Sequence, residues 1–293
     1  MEELLKTGAR VLANEPMASH TTLCVGGPAE WYVEVDTVVQ LRAVLLAARK
    51  KSLPVFFLGW GSNLLVADKG IRGITLRLKG DFISVSFEDS LVRAGAGVFL
   101  PTLVKQCADK GLGGIEPLVG IPGTIGGALI MNAGTRDLEI GQVIKTVEVL
   151  NPDGNLELLN HDQIRFEYRA SSLAGRVVCF ATLQLRHQNK DDIIRSVQVF
   201  LEKRLETQPI SNMNVGSIFK NPPGNFAARL IEQSGLKGRQ IGQAQVSPKH
   251  ANFIVNLGGA KANDVKSLIE LVQKTVAEKH GVKLETEVKM VGL

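Results

Sequence analysis

Residues 111–134 read GLGGIEPLVGIPGTIGGALIMNAG, a stretch with no charged residue from Pro117 to Thr135. Its two prolines and closely spaced glycines rule out a continuous helix, so it is neither a membrane span nor an ordinary core helix. Glycine lets the backbone run where a side chain would collide, and it lets successive N–H groups point at one phosphate or planar ring. The stretch therefore predicts either a tight crossing of buried loops or a cofactor-binding loop. No standard phosphate-binding signature is present, so these residues alone leave both interpretations open.

A second glycine-rich loop follows a short apolar strand. Residues 55–58 (VFFL) are apolar throughout, which is typical of a strand buried on both faces. The sequence GWGSN at 59–63 comes directly after it. A loop at the end of such a strand is held rigidly at the edge of a sheet, where ligands tend to bind. The position of this loop therefore favours a binding role.

The remaining patterns predict an α+β fold, because strands and helices do not alternate in regular βαβ units. A polar segment at 187–191 is the predicted boundary between an N-terminal and a C-terminal region. Asn263 is the predicted cap of the last helix, and a hairpin turn is predicted at 151–154 (NPDG). Predicted helices lie at about 38–51, 101–110, 190–208, 226–235 and 263–280. Predicted strands lie at 20–27, 31–35, 55–58, 74–78, 91–93, 147–149, 156–159, 177–185, 252–256 and 284–290.

The composition is that of an ordinary globular protein. The chain has 293 residues, with 44% hydrophobic and 22% charged residues, so two or three compact units are expected. A net charge of +5 suits an anionic ligand such as a nucleotide. Lys and Arg are scattered, and there are only two Tyr and two Trp, which argues against nucleic-acid binding.

The cysteines and the N-terminus indicate a reducing, cytoplasmic location. Cys24, Cys107 and Cys179 are far apart and show no metal-binding spacing, so we expect no metal site. Cys107 and Cys179 are predicted to pack in the core. Lys6 and Arg10 stand where a signal peptide would need its apolar segment, so neither secretion nor membrane insertion is expected.

Motifs spread over nearly the whole chain resemble one family in order and in spacing. They are HTTLCVGGPA (20–29), GWGSNLLV (59–66), GIPGTIGGALIMNAG (120–134), FEYRASS (166–172), GSIFKNP (216–222), KHANFIVN (249–256) and LETEVKMVG (284–292). Together they resemble the UDP-N-acetylenolpyruvoylglucosamine reductases, the flavoenzymes of bacterial peptidoglycan precursor synthesis. Each motif alone is weak, and their joint occurrence carries the resemblance.

The resemblance implies a fold and a cofactor. It implies a two-subdomain FAD-binding region of the vanillyl-alcohol-oxidase type at 1–188, divided at about residue 78, followed by a smaller α+β substrate-binding domain at 189–293. FAD binds noncovalently in this family, NADPH is the cosubstrate, and the UDP-sugar is the substrate. Matching the family's glycine loops assigns FAD binding to Gly59, Gly61, Ser62, Asn63, Leu64, Pro122, Gly123, Thr124, Gly126, Gly127 and Asn132.

The resemblance also implies catalytic residues. Hydride transfer to the enolpyruvyl ether leaves negative charge spread into a carboxylate, which a fixed cation and a hydrogen-bond donor would stabilise. The family match gives the cationic role to Arg169 and the second role to Glu287, and it makes Ser217 the proton donor to C2. Lys220 and Asn221 are implied to contact the substrate. Without the family, simpler interpretations are favoured: a surface ion pair for Arg169, a solvated strand carboxylate for Glu287 and a turn residue for Ser217.

Some features depart from the family pattern or leave alternatives. No Tyr lies between Leu185 and Ser217, which indicates the shorter, type II subgroup without the substrate-covering tyrosine loop. Trp60 replaces a common glycine, and we expect it to pack either near the flavin or in the core. One alternative is a flavoenzyme with another substrate, which GSIFKNP and LETEVKMVG disfavour. The other is a nucleotide-binding or regulatory protein without turnover, which the joint presence of Arg169, Ser217 and Glu287 disfavours. A monomer is expected.

Overall fold

The computed structural model describes residues 2–151 and 153–292, so Pro152 of the predicted turn lies outside the described residues. Helices form where apolar residues recur at helical spacing. The helices are α1 (Glu2–Leu5), α2 (Val38–Lys50), α3 (Leu100–Asp109), α4 (Ile125–Ile130), α5 (Lys190–Thr207), α6 (Ala227–Gln233) and α7 (Ala262–His280).

The strands are short, as turn residues separate them throughout the chain. They are β1 (Arg10–Pro16), β2 (Pro28–Val35), β3 (Val55–Leu58), β4 (Leu64–Val66), β5 (Ile71–Leu78), β6 (Val85–Glu88), β7 (Leu91–Gly95), β8 (Leu112–Gly113), β9 (Ile144–Leu150), β10 (Leu156–Asn160), β11 (Phe166–Glu167), β12 (Ala170–Ser171), β13 (Val177–Gln184), β14 (Arg186–His187), β15 (Met213–Ser217), β16 (Gln240–Ile241), β17 (Ala244–Val246), β18 (Phe253–Asn256) and β19 (Lys289–Val291).

The strands pair mainly in antiparallel sheets. One five-stranded sheet has the order β10-β9-β13-β7-β6, with antiparallel neighbours. A four-stranded antiparallel sheet has the order β15-β18-β17-β16. A further four-stranded sheet has the order β1-β2-β5-β3, and β19 pairs in parallel with β4. Sheets without regular crossover helices give the predicted α+β class.

The chain divides into two compact units. Unit 1 consists of Met1–Val11, Val33–Trp60 and Thr75–Lys203, and unit 2 consists of Leu12–Tyr32, Gly61–Ile74 and Arg204–Leu293. The units are discontinuous in sequence, whereas the predicted division places one boundary at residue 189. Helix α5 lies beyond that boundary, yet its Ile193 and Val197 belong to the hydrophobic core of unit 1.

The core of unit 1 surrounds the central strand β13. Val178, Cys179, Phe180 and Ala181 are buried in succession, as expected for a strand covered on both faces. Burial raises the pKa of the Cys179 thiol to about 12, with Glu148 as a further cause. Burial likewise raises the pKa of Cys107 to about 12, so both thiols are unreactive and pack in the core as predicted.

The core of unit 2 forms where α6 and α7 cover the sheet of β15–β18. Helix α7 buries Val265, Leu268 and Val276 and ends at Gly281, whose φ of 67° gives the left-handed cap that glycine adopts easily. The predicted cap at Asn263 is wrong. The Asp68 carboxylate accepts the Ala262 N–H at 2.8 Å and the Asn263 N–H at 3.1 Å, so a distant residue satisfies the donors at the start of this helix.

Two predicted strands are also wrong, because one is absent and the other is shorter than expected. Residues 20–27 form no strand, because the Thr21 hydroxyl donates to the Val25 carbonyl at 2.8 Å and closes a local turn. The last strand covers only β19 instead of 284–290. Leu284 and Val288 are buried while Met290 is 42% exposed, so the side chains do not alternate as a regular strand requires.

We predict that Arg93→Lys lowers the free energy of unfolding by about 1 kcal/mol. Arg93 of β7 binds Glu148 of β9 through two hydrogen bonds of 2.6 and 3.0 Å, and its guanidinium carbon lies 3.8 Å from the Phe180 ring centroid. Lysine cannot reproduce the two parallel bonds or the flat stacking. Urea denaturation measures the effect.

Arg195→Lys is the matched control, because Arg195 pairs with Asp192 on the exposed surface of α5. We expect it to change the free energy of unfolding by less than about 0.5 kcal/mol. Equal losses from the two variants would show that the Arg93 pair is no stronger than a surface ion pair.

Candidate active site

A cavity of about 570 Å³ lies in unit 1. Its walls come from β3, the end of β5, the segment after β7, helices α3 and α4, and residues 175–178. Strand β3 ends at Leu58, and the next two residues, Gly59 and Trp60, line the cavity. The loop that the sequence placed after a buried strand therefore begins at a cavity wall.

Glycines allow two backbone segments to cross at this cavity. The Gly126 N–H donates to the Ala96 carbonyl at 2.8 Å, and the Ile125 N–H donates to the Val98 carbonyl at 2.9 Å. A Cβ at Gly126 would lie 3.0 Å from the Ala96 Cβ, and one at Gly59 would lie 2.8 Å from the Thr124 hydroxyl oxygen. The central stretch is thus a tight crossing, and part of it lines a cavity, while its binding of a cofactor stays a prediction.

Aromatic rings and cations line the same cavity. The ring centroids of Trp60 and Phe99 are 4.2 Å apart with an angle of 32°, and the Arg77 guanidinium carbon is 6.0 Å from the Trp60 ring centroid. Lys79 and Arg176 also contribute to the lining. Trp60 is 41% exposed, which excludes plain core packing. Such a lining suits a ligand with a planar ring and an anionic group.

Arg169 occupies a strained turn between β11 and β12 in unit 1. Its φ of 55° lies in the left-handed region, which a residue other than glycine adopts at a cost of about 1 kcal/mol or more. Its Nη2 donates to the Gly134 carbonyl at 3.0 Å, and its Nη1 lies 3.9 Å from Glu139 Oε1. Unfavourable backbone geometry that persists in a folded protein often marks a functional residue.

Ser217, Glu287 and Asn63 are neighbours in unit 2. Ser217 ends β15 opposite Phe253 of β18. The Glu287 N–H donates to the carbonyl of Ile218 at 2.8 Å, and the Asn63 side chain donates to the Glu287 carbonyl at 3.2 Å. The structure therefore places the backbone of Glu287 beside Ile218, the residue after Ser217, although the two are far apart in sequence.

Lys220 and Asn221 follow in the same segment of unit 2. The Lys220 ammonium lies 2.6 Å from the Glu285 carboxylate, which is 71% exposed. The Asn221 side-chain oxygen accepts the Ala227 N–H at 3.0 Å, at the start of α6. Both glutamates pair with this segment through their backbone, because the Lys220 N–H donates to the Glu285 carbonyl at 2.9 Å and the Glu287 N–H donates to the Ile218 carbonyl at 2.8 Å.

Comparisons with known proteins decide the family. An FAD-binding domain model matches residues 29–160, and the model of the UDP-N-acetylenolpyruvoylglucosamine reductase C-terminal domain matches residues 208–291. UDP-N-acetylenolpyruvoylglucosamine reductase 2 from Symbiobacterium thermophilum is 44% identical over 294 residues, covering 100% of this chain and 96% of that protein. The chain belongs to the UDP-N-acetylenolpyruvoylglucosamine reductase family.

Solved structures agree with this assignment. The UDP-N-acetylenolpyruvylglucosamine reductase of Thermus caldophilus matches with a TM-score of 0.84 at 38% identity, covering 97% of this chain and 98% of that one. BBE-like 1 of Physcomitrella patens matches with a TM-score of 0.57 at 14% identity, covering 94% and 88%, which shows a shared fold alone. The predicted fold class is thus confirmed, and the reductase is an FAD-dependent oxidoreductase.

The residues predicted to bind FAD are distributed over both units. Four of them, Gly59, Thr124, Gly126 and Gly127, line the unit 1 cavity. Pro122 and Gly123 precede Thr124 in unit 1, and Gly61, Ser62, Asn63 and Leu64 belong to unit 2. A Cβ at Gly61 would lie 2.0 Å from the His20 carbonyl oxygen, so this glycine is required by the fold of unit 2 itself. FAD contact by all of these residues, inside and outside the cavity lining, stays a prediction.

Asn132 has a different environment from the other predicted FAD residues. It is 1% exposed. Its Nδ2 donates to Glu139 Oε2 at 2.8 Å and to the Glu167 carbonyl at 3.1 Å, and its Oδ1 accepts the Gly141 N–H at 3.1 Å. These bonds use the amide within unit 1, so its contact with FAD also stays a prediction.

Sequence reasoning missed several residues near these sites. Phe99, Arg77 and Arg176 line the cavity although no motif marks them. Asn252 lies within the quoted KHANFIVN motif, and its amide forms bonds of 3.0 and 2.8 Å with the backbone N–H and carbonyl of Phe219. An asparagine between buried apolar residues was the available signal, because a buried amide must find backbone partners.

The described residues contain neither a metal-binding cluster nor a membrane-spanning helix. Over residues 2–151 and 153–292, no cluster of three or more His, Cys, Asp or Glu side chains has a metal-binding arrangement. Within the same ranges, every helix is too short or too polar to cross a bilayer.

We predict opposite effects for two glycines of the cavity lining. Gly59→Ala should lower the free energy of unfolding by about 1 kcal/mol, because the new methyl group displaces the Thr124 hydroxyl that accepts the Gly127 N–H at the start of α4. Gly127→Ala should leave it unchanged or raise it by up to about 1 kcal/mol. A Cβ at Gly127 would lie 3.5 Å from that hydroxyl. Urea denaturation of flavin-free protein measures both, and equal losses would contradict the prediction.

Proposed function

We propose that this chain reduces UDP-N-acetylenolpyruvoylglucosamine to UDP-N-acetylmuramate in peptidoglycan precursor synthesis, with noncovalently bound FAD and with NADPH as cosubstrate. The observation that carries the proposal is the 44% identity over the full chain to a relative of that name. The proposal includes a cytoplasmic monomer with an FAD-binding region at 1–188 and a substrate-binding domain at 189–293. The matched ranges 29–160 and 208–291 lie on either side of this boundary, although α5 packs in the core of unit 1.

The unit 1 cavity fits part of the FAD molecule. Gly59, Gly126 and Gly127 line the cavity, and the backbone of glycine allows a planar or phosphate group to approach closely. Trp60 and Phe99 offer ring faces, and Arg77 and Lys79 offer positive charge for the diphosphate. When bound, FAD supplies hydride transfer between NADPH and the enolpyruvyl carbon.

Arg169 and Glu287 are proposed to stabilise the substrate's developing enolate. A guanidinium keeps its charge at all physiological pH values, so Arg169 would hold the carboxylate as negative charge spreads into it. Its restricted turn between β11 and β12 supports this role, since little reorganisation is needed at the moment of reaction. Glu287 would act as a protonated donor or orient its neighbours, and its backbone bond to the Ser217 segment supports that position.

Ser217 is proposed to donate the proton to C2. A serine hydroxyl is a weak acid, yet a carbanion next to a carboxylate is basic enough to accept its proton. The bonds from Asn252 to Phe219 fix the segment that follows Ser217. Lys220 and Asn221 would bind the diphosphate, for which the Lys220 ammonium would exchange its pairing with Glu285.

We predict that Trp60→Ala weakens FAD binding about tenfold, because a ring stacked on an aromatic side chain contributes about 0.5–1.5 kcal/mol. Titration of flavin-free protein with FAD, followed by absorbance, measures the dissociation constant. Trp60→Phe should stay within about threefold of the unmodified protein. Trp31→Phe in unit 2 is the control for a generic tryptophan loss, and an effect of Trp31→Phe equal to that of Trp60→Ala would contradict the stacking role.

We predict that Ser217→Ala slows only the second half-reaction. Reduction of the bound flavin by NADPH should survive, while its reoxidation by the enolpyruvyl substrate should fall by about 10² to 10⁴-fold, since a proton donor acts only there. Stopped-flow absorbance separates the two steps. Ser211→Ala, at an exposed position of the same unit, should change neither rate. Equal damage to both half-reactions would mean that the role of Ser217 is wrongly assigned.

A further inference from the structure

One buried amide in unit 1 joins the two segments that surround Arg169. The Asn132 Nδ2 group has two N–H donors. One bond runs to the Glu139 carboxylate at 2.8 Å, and the other runs to the Glu167 carbonyl at 3.1 Å. Glu139 closes the loop at 134–139, and Glu167 ends β11 two residues before Arg169. The amide therefore fixes that loop relative to the hairpin carrying Arg169.

Both described acceptors of the Arg169 side chain stand at the base of this loop. Gly134 and Glu139 face each other in an antiparallel bridge, and the Thr135 N–H donates to the Leu138 carbonyl at 2.9 Å. The Gly134 carbonyl accepts from Arg169 Nη2 at 3.0 Å, and Glu139 Oε1 lies 3.9 Å from Nη1. A Cβ at Gly134 would lie 2.6 Å from the Glu139 Cα, so a larger residue would separate the two acceptors.

Glu139 uses its two carboxylate oxygens differently. Oε2 accepts a short bond from Asn132, whereas Oε1 is too far from Arg169 for a strong charge-assisted bond. The carboxylate thus restricts where the guanidinium lies without forming a close ion pair with it. The Glu139 backbone is fixed as well, because its N–H donates to Gln142 Oε1 at 2.9 Å.

We propose that Glu139, held by Asn132, is a positioning residue that aims the Arg169 guanidinium at the substrate carboxylate. The inference rests on the proposed function of Arg169 as the cation that stabilises the enolate. Neither Glu139 nor Asn132 is required to contact the substrate. The expected contribution is to the rate of the second half-reaction. A guanidinium held in the wrong position stabilises the negative charge of the transition state less well.

Glu139→Gln tests the proposal with little change of shape. The Gln side chain retains an oxygen that accepts from Asn132, but it turns an N–H₂ donor toward Arg169 in place of a carboxylate oxygen. We expect reoxidation of the bound flavin by the enolpyruvyl substrate to slow about tenfold to a hundredfold. Reduction by NADPH should stay within twofold, and the substrate dissociation constant should change less than the rate does.

The matched control is Glu148→Gln, which removes the carboxylate partner of Arg93 elsewhere in unit 1. It should lower the thermal melting temperature at least as much as Glu139→Gln and leave both half-reactions within twofold. Arg169→Lys should slow the second half-reaction strongly, and adding Glu139→Gln to it should slow that step by less than twofold more. Such non-additivity is expected when one residue acts through the other.

Each outcome decides the inference. Glu139→Gln rates within twofold of the unmodified protein, equal slowing of both half-reactions, or full additivity with Arg169→Lys would overturn it while the proposed function stands. If the substrate fails to reoxidise the flavin of the unmodified protein, the proposed function fails and this inference fails with it.

Discussion

Backbone hydrogen bonds between residues 96–100 and 123–126 are the constraint on which the unit 1 site depends. Ala96 and Val98 accept N–H groups from Gly126 and Ile125, and the Gly123 carbonyl accepts the Leu100 N–H at 2.8 Å. This crossing starts α3 and α4 beside the cavity and aligns Phe99 with Trp60. Because Gly126 has no side chain, the two segments approach closely enough for both sets of bonds to form.

Cofactor binding and catalysis in the proposed reaction place different requirements on the protein. Cofactor binding uses glycine-lined backbone, ring faces and cations, which tolerate variation as long as space and charge are kept. The proposed catalytic groups instead require fixed positions, and each unit by itself holds the segments that carry them. In unit 1 a strained hairpin turn carries Arg169, while in unit 2 the buried Asn252 amide holds the segment after Ser217. Buried amides serve as positioning devices in both places, since each must satisfy its donors and acceptors internally.

Local patterns in the sequence predicted much of the fold. Helices α2, α3 and α7, strand β3 and the hairpin of β9 and β10 follow from apolar spacing, from Pro101 and Gly281, and from the turn residues between the strands. The predictions of local structure failed where a distant residue or a side chain formed a hydrogen bond that the local pattern did not indicate. Asp68 caps the helix for which Asn263 was the predicted cap. The Thr21 hydroxyl closes a turn where the sequence predicted a strand.

Residue types and their spacing along the chain were enough to predict the family, the α+β class and the glycine loops. Two further facts required the folded structure: which glycines line a cavity, and that Asn132 holds Glu139 beside Arg169. Those facts depend on contacts between residues separated by tens to hundreds of positions. Spacing along the chain carries no record of such contacts, since packing and hydrogen-bond satisfaction select them only when the elements assemble.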